Sequence, residues 1–84
     1  MFIAKIFITL RKTILDPQGK AVEHSLKSLG YSNIEDTRIG KLIELKINTD
    51  NQKEAERIAT EASQKLLANP VMEDFTIEII KGEK

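Results

Sequence analysis

The chain contains no cysteine and no tryptophan. The missing thiol excludes disulfides, thiolate metal sites and a cysteine nucleophile. Aromatic residues make up only 5% of the sequence, three phenylalanines and one tyrosine. That is too few to stack nucleic-acid bases across a sheet. Excess charge is absent as well, since thirteen basic residues balance thirteen acidic ones. A neutral chain has no general attraction for nucleic acid or an anionic membrane, so neither is an expected partner. No apolar run approaches the ~18–20 residues of a membrane span. The start, Met1-Phe2-Ile3-Ala4-Lys5, lacks the basic region and long apolar stretch of a secretion signal. A cytoplasmic location is the expectation.

Catalytic constellations are missing too. The single histidine, His24, falls between Lys20 and Lys27 with no carboxylate three or four residues away. A solvated side chain is the better reading than a general base. Gly19-Lys20 at a helix start invites comparison with a phosphate-binding loop. That loop needs glycine where Ile14 stands and a hydroxyl where Ala21 stands. Glu73 and Asp74 are neighbours in an extended run and point to opposite faces. Glu23, Asp36 and Glu44 have no metal-ligand partner at useful spacing, so neither catalytic nor metal-binding residues are expected.

What is present is a chain of 84 residues, 40% apolar and 31% charged. This is the composition of one small folded domain, taken as residues 1–84, whose thin core makes oligomerisation attractive. Residues 2–10 read as a strand. Ala4, Ile6, Ile8 and Leu10 share one face, and Ile3, Lys5, Phe7 and Thr9 share the other. Both faces carry apolar groups, which predicts a central strand. Asp16-Pro17 then starts a helix, Asp16 as N-cap and Pro17 where a missing N–H does no harm. Val22, Leu26 and Leu29 recur at helical spacing, and Gly30 closes the helix in the left-handed conformation.

Two short strands follow at 34–39 and 42–47, with Gly40-Lys41 as a two-residue hairpin turn. In that register Ile39 opposes Leu42, Glu35 lies beside Lys46, and Asp36 and Arg38 point toward the core side. A second helix opens within Asn48–Asn51 and carries the stripe Ala55, Ile58, Ala59, Ala62 and Leu66. Ala68-Asn69-Pro70 ends it. Residues 71–80 return to period two, with Phe75, Ile77 and Ile79 on one face, and 81–84 read as a frayed tail. The order predicts an α+β, ferredoxin-like βαββαβ fold: a four-stranded antiparallel sheet with two helices on one face. Its open face would carry Ile3, Phe7, Ile39 and Leu42, and the domain would dimerise through it.

Particular strings narrow the reading further. Leu15-Asp16-Pro17-Gln18-Gly19-Lys20-Ala21-Val22-Glu23-His24 resembles the signature of PurS, the small-subunit family of phosphoribosylformylglycinamidine (FGAM) synthase. The resemblance continues through Leu26–Tyr31, Arg38–Lys41 and Lys65-Leu66-Leu67-Ala68-Asn69-Pro70-Val71. Arg11-Lys12-Thr13 departs from the Pro- or Gly-containing turn expected before the first motif.

The resemblance implies a non-catalytic, homodimeric or higher-oligomeric subunit. Such a subunit would join a PurL-like synthetase and a PurQ-like glutaminase. The assembly would convert formylglycinamide ribonucleotide (FGAR), ATP and glutamine to FGAM in purine biosynthesis. The small subunit would bridge the other two and assist ammonia transfer. ATP and Mg would be used by the large partner, with no cofactor on this chain. Asp16, Pro17, Gln18 and Gly19, together with Arg38, Gly40 and Lys41, are the expected partner contacts. The alternative is an ACT-like regulatory domain that binds a small molecule; RNA binding is a weaker one.

Overall fold

A computed structural model of the chain describes residues 1–82. Its elements are β1 (Phe2–Leu10), α1 (Pro17–Ser28), β2 (Gly40–Ile47), α2 (Gln52–Ala62), a π-helical turn (Ser63–Leu67) and β3 (Glu73–Lys81). Strand β1 is central and antiparallel to both neighbours, giving the order β2-β1-β3. The alternation along β1 sets the two faces. Phe2, Ala4, Ile6 and Ile8 are buried on one side, while Phe7 and Thr9 are exposed on the other. Burying Ile6 and Ile8 completely stabilises the fold by about 1.5–3 kcal/mol each.

Helix α2 covers that buried side. Its Ala55 and Ala59 meet Phe2, Ala4 and Ile47, flanked by Leu45, Ile58, Ile77 and Ile79. Alanines at the contact let the helix lie close to the sheet. Asn51 caps α2 by accepting from the Lys53 and Glu54 amides at 2.9 and 3.3 Å. The α-helix then widens by one residue per turn, with the Ala68 amide reaching back five residues to the Ser63 carbonyl at 3.0 Å. The inserted residue rotates the side chains that follow. Leu66, expected on the buried stripe, is 81% exposed. Leu67 and Ala68 instead pack on Ile6 and Ile8.

The expected four-stranded ferredoxin-like sheet is not formed: there are three strands. Residues 34–39 form no strand; Asp16, the cap of α1, and Glu23 within it take two amides where a strand was expected. Glu23 accepts from the Thr37 amide at 2.9 Å, and Asp16 accepts from the Ile39 amide at 2.8 Å. Asp36, at φ 51°, adopts a left-handed backbone conformation that a strand does not accommodate. Gly40 is not a hairpin turn either. It is the first residue of β2, paired with Thr9, and an added Cβ would lie 2.8 Å from the Ile8 carbonyl oxygen.

Only α2 packs on the sheet; α1 makes no more than marginal contact with any strand. The molecule is accordingly drawn out to 49 × 29 × 14 Å with a radius of gyration of 16.3 Å. A compact chain of this length would have about 12 Å. Of the apolar stripe on α1, Val22 is 40% and Leu29 74% exposed. The tail expectation is also corrected in part. Lys81 belongs to β3 and the Gly82 amide donates to the Met1 carbonyl at 3.0 Å. Residues 83 and 84, the rest of that tail, lie outside the described part.

Candidate partner-docking site

Asp16 divides its carboxylate between two jobs. Oδ1 accepts from the Gly19 amide at 3.0 Å and caps α1, while Oδ2 holds the Ile39 amide. The sequence shows the first of these and only the fold shows the second. Donation from Ile39, then Gly19, with smaller help from Gln18 and Arg38, lowers the Asp16 pKa despite its burial. Glu23 is lowered in the same way, first by the Thr37 amide and then by Lys27, 3.5 Å away.

Gly19 is required by this arrangement. The Thr37 carbonyl lies against its Cα, in the space a side chain would need, and a Cβ would also meet the Asp16 carboxylate at 3.0 Å. Arg38 locks the loop from outside. Its guanidinium donates to the Ile14 and Lys12 carbonyls at 2.6 and 2.8 Å and lies 3.2 Å from Asp36. Arg38 therefore does not face the core side of a sheet. It fastens residues 12–14 to the segment before β2.

A second loop closes on the same end of the sheet. Lys41 on β2 pairs with Glu73 on β3 at 3.4 Å, across the end of the central strand. Glu73 also accepts from the Asn69 amide at 2.8 Å, and this bond, followed by Lys41, lowers its pKa. Asn69 accepts from the Val71 amide at 2.9 Å. Arg11 donates to the Pro70 carbonyl at 2.7 Å and pairs with Asp74 at 3.3 Å. Residues 68–72 are thus held in one conformation while Leu66 and Val71 stay 81% and 75% exposed.

Two open cavities adjoin at the Lys41–Glu73 pair. One, of about 290 Å³, is bordered by Asp16, Gln18, Ile39 and Gly40. The other, of about 550 Å³, is bordered by Lys65, Leu66, Asn69 and Pro70. Of the expected contact residues, Asp16, Gln18, Gly40 and Lys41 border this groove, Pro17 and Gly19 stand in the same turn, and Arg38 sits behind it. Residues of the Lys65–Met72 stretch also border the groove and were not among the expected contacts. Their signal was the Leu-Leu-Ala-Asn-Pro-Val string, remote in sequence from the first motif and adjacent to it in the fold.

The open face of the sheet is a different surface. Ile3, Phe7, Leu42 and Ile80 occupy it, but the row Glu44, Lys5, Glu78 runs through its middle. Ile39 is not part of it, since it precedes β2 and borders the smaller cavity with Ile8 and Leu10. Among the described residues no three His, Cys, Asp or Glu side chains are grouped to hold a metal ion. No helix among them is long and apolar enough to cross a membrane. The groove offers a rigid, mixed apolar and charged contact surface without a nucleophile–base pair.

The family model described as "PurS: Phosphoribosylformylglycinamidine (FGAM) synthase" matches residues 3–81, which takes in both loops and all of the sheet but Phe2. The chain belongs to the PurS family. It is a subunit of FGAM synthase, an enzyme of purine biosynthesis. The PurS subunit of Bacillus subtilis is 40% identical over 79 residues, covering 94% of this chain and 93% of that one. PurS of Thermus thermophilus superposes with a TM-score of 0.87 at 43% identity, covering 98% of each chain. A chain in the structure of PurLQS from Thermotoga maritima superposes with a TM-score of 0.84 at 26% identity, covering 95% of this chain and 99% of that one.

Proposed function

We propose that this PurS-family chain is the non-catalytic bridge of its FGAM synthase. As a homodimer in the cytoplasm, it would hold a PurL-like synthetase and a PurQ-like glutaminase together and assist ammonia transfer between them. The observation that supports this is the convergence of the two family-specific strings on one groove around Lys41–Glu73. Leucine and valine side chains held out to solvent on a pinned loop are what a protein-docking surface requires. The likeness to a chain of a PurLQS structure supports the same reading. In the complex, ATP and Mg are used by the large subunit. The lack of phosphate-loop spacing at Gly19-Lys20 agrees with that assignment.

The test is reconstitution with the PurL-like and PurQ-like subunits, using Leu66→Ser combined with Val71→Ser. Both sites are exposed, so the isolated chain keeps its stability. Glutamine-driven FGAM formation falls with the variant, while formation from added ammonia persists. Glutamine-driven activity that is the same with the variant, and with the chain left out, defeats the proposal.

A further inference from the structure

Strand β3 lies at one side of the sheet, and its outer edge is unguarded. Its nine residues, Glu73–Lys81, pair with β1 in unbroken register and include no proline. Edge strands are ordinarily blunted by a proline or a bulge, because an open backbone edge is a template for another strand. Two bonds at the ends of the ladder fix which groups the edge offers. The Arg11 amide donates to the Met72 carbonyl at 2.9 Å, and the Gly82 amide to the Met1 carbonyl at 3.0 Å. Hydrogen-bonded and non-hydrogen-bonded pairs alternate in an antiparallel ladder. Asp74, Thr76, Glu78 and Ile80 therefore turn their N–H and C=O groups toward β1, while Phe75, Ile77 and Ile79 turn theirs outward. Glu73 faces outward too, but the Asn69 carbonyl takes its amide at 2.8 Å.

Both faces beside this edge hold unfilled room or unmatched charge. On the core side Phe75, Ile77 and Ile79 are only partly covered. An open cavity of about 300 Å³ separates Ile77 and Ile79 from Gln52, Glu56 and Thr60, which succeed one another turn by turn on α2. Another, of about 420 Å³, lies beside Phe75 and is bordered by Ser63 and Gln64. On the open face the row Glu44, Lys5, Glu78 crosses the sheet. Lys5 lies 3.9 Å from Glu44, and Glu78 has no cation of its own among the described residues. The row thus ends at the edge on an anion.

These features select the occupant. Direct partners in an antiparallel pair share a face. An added strand would set side chains beside Ile77 and Ile79 over the core-side cavity, where apolar groups fit. It would set another beside Glu78, where a lysine or arginine continues the alternation of charge. A copy of β3 cannot supply that cation, since its open face holds Asp74, Thr76, Glu78 and Ile80.

We propose that the outer edge of β3 docks an extended segment of a different protein, one that alternates apolar and basic residues and joins the sheet as an antiparallel strand. Backbone bonds to Phe75, Ile77 and Ile79 give the affinity, and Glu78 selects the basic partner. This edge is separate from the Lys41–Glu73 groove and does not depend on the bridging reading.

The probe is a blocked octapeptide of alternating valine and lysine, with a valine–glutamate octapeptide as control. Added to the full chain, the valine–lysine peptide should bind saturably and slow amide exchange at Phe75, Ile77 and Ile79. Methylating the alternate peptide nitrogens that face β3 should abolish binding, whereas methylating the others should not. Glu78→Lys, at an exposed position, should weaken the valine–lysine peptide by about three- to tenfold and strengthen the valine–glutamate one. Absence of saturable binding, or protection along β2 in place of β3, overturns the proposal. So does equal affinity for the two peptides, or binding that Glu78→Lys leaves unchanged.

Discussion

Replacing Gly19 by alanine separates the local preference of the chain from its tertiary demand. Gly19 lies inside α1, and its φ is not in the left-handed region. Helix propensity alone therefore predicts a gain of about 1 kcal/mol for alanine. The fold predicts the opposite. The Thr37 carbonyl occupies the place of the new methyl group, and the Asp16 carboxylate stands 3.0 Å from it.

Relief requires segment 37–39 to retreat by about 1 Å, beyond the range in which the Ile39 amide, now at 2.8 Å from Asp16, stays bonded. Overpacking of this kind costs about 1–3 kcal/mol, and the lost hydrogen bond adds to it. Set against the propensity gain, the net loss is about 1–3 kcal/mol. For a domain of this size that lowers Tm by roughly 5–20 °C. Calorimetry of Gly19→Ala beside Lys20→Ala, an exposed site in the same turn, makes the comparison. A Tm for Gly19→Ala above that of the parent chain would refute the contact with Thr37.

Three further outcomes are expected. Asp16→Asn turns one carboxylate oxygen into an amide that opposes either the Gly19 or the Ile39 N–H. Because the folded pKa of Asp16 lies below its ordinary 3.8, its stabilisation is present above that value and is lost as pH falls through the folded value. The urea midpoints of parent and variant should therefore differ at about pH 7, and the difference should shrink as pH falls below 3.8. Arg38→Lys keeps the charge but cannot span the Ile14 and Lys12 carbonyls. Amide exchange of Thr13–Leu15 should accelerate while that of β1 stays slow. Ala59→Leu forces a large side chain between α2 and the sheet, where Ala59 has no exposed surface. It should lower unfolding free energy by about 1–3 kcal/mol in denaturant titration.

These side chains also alter how interface mutagenesis is to be read. Asp16 and Arg38 are committed to bonds within the chain, so their removal loosens the loop as well as any contact. Gln18, Leu66 and Val71 present their outer ends to solvent and report docking more directly.

Sequence alone determined whatever depends on near neighbours along the chain. The central strand at 2–10, the Asp16-Pro17 helix start, the Gly30 close and the alanine stripe at 55–62 follow from periodicity and capping, which act within a turn or two. Family membership was legible for a related reason, because its strings are contiguous. Tertiary structure decided what two remote segments do to each other. Residues 34–39 have a strand's composition, yet Asp16 and Glu23 take the amides that a neighbouring strand would have used. Leu66 fits a helical stripe, yet one π-turn moves it to the surface and brings Leu67 inward. Gly40 suits a hairpin turn, but the backbone of β1 needs that space. In each case local pattern left two outcomes close in energy, and a hydrogen bond or steric contact from a distant part of the chain selected one.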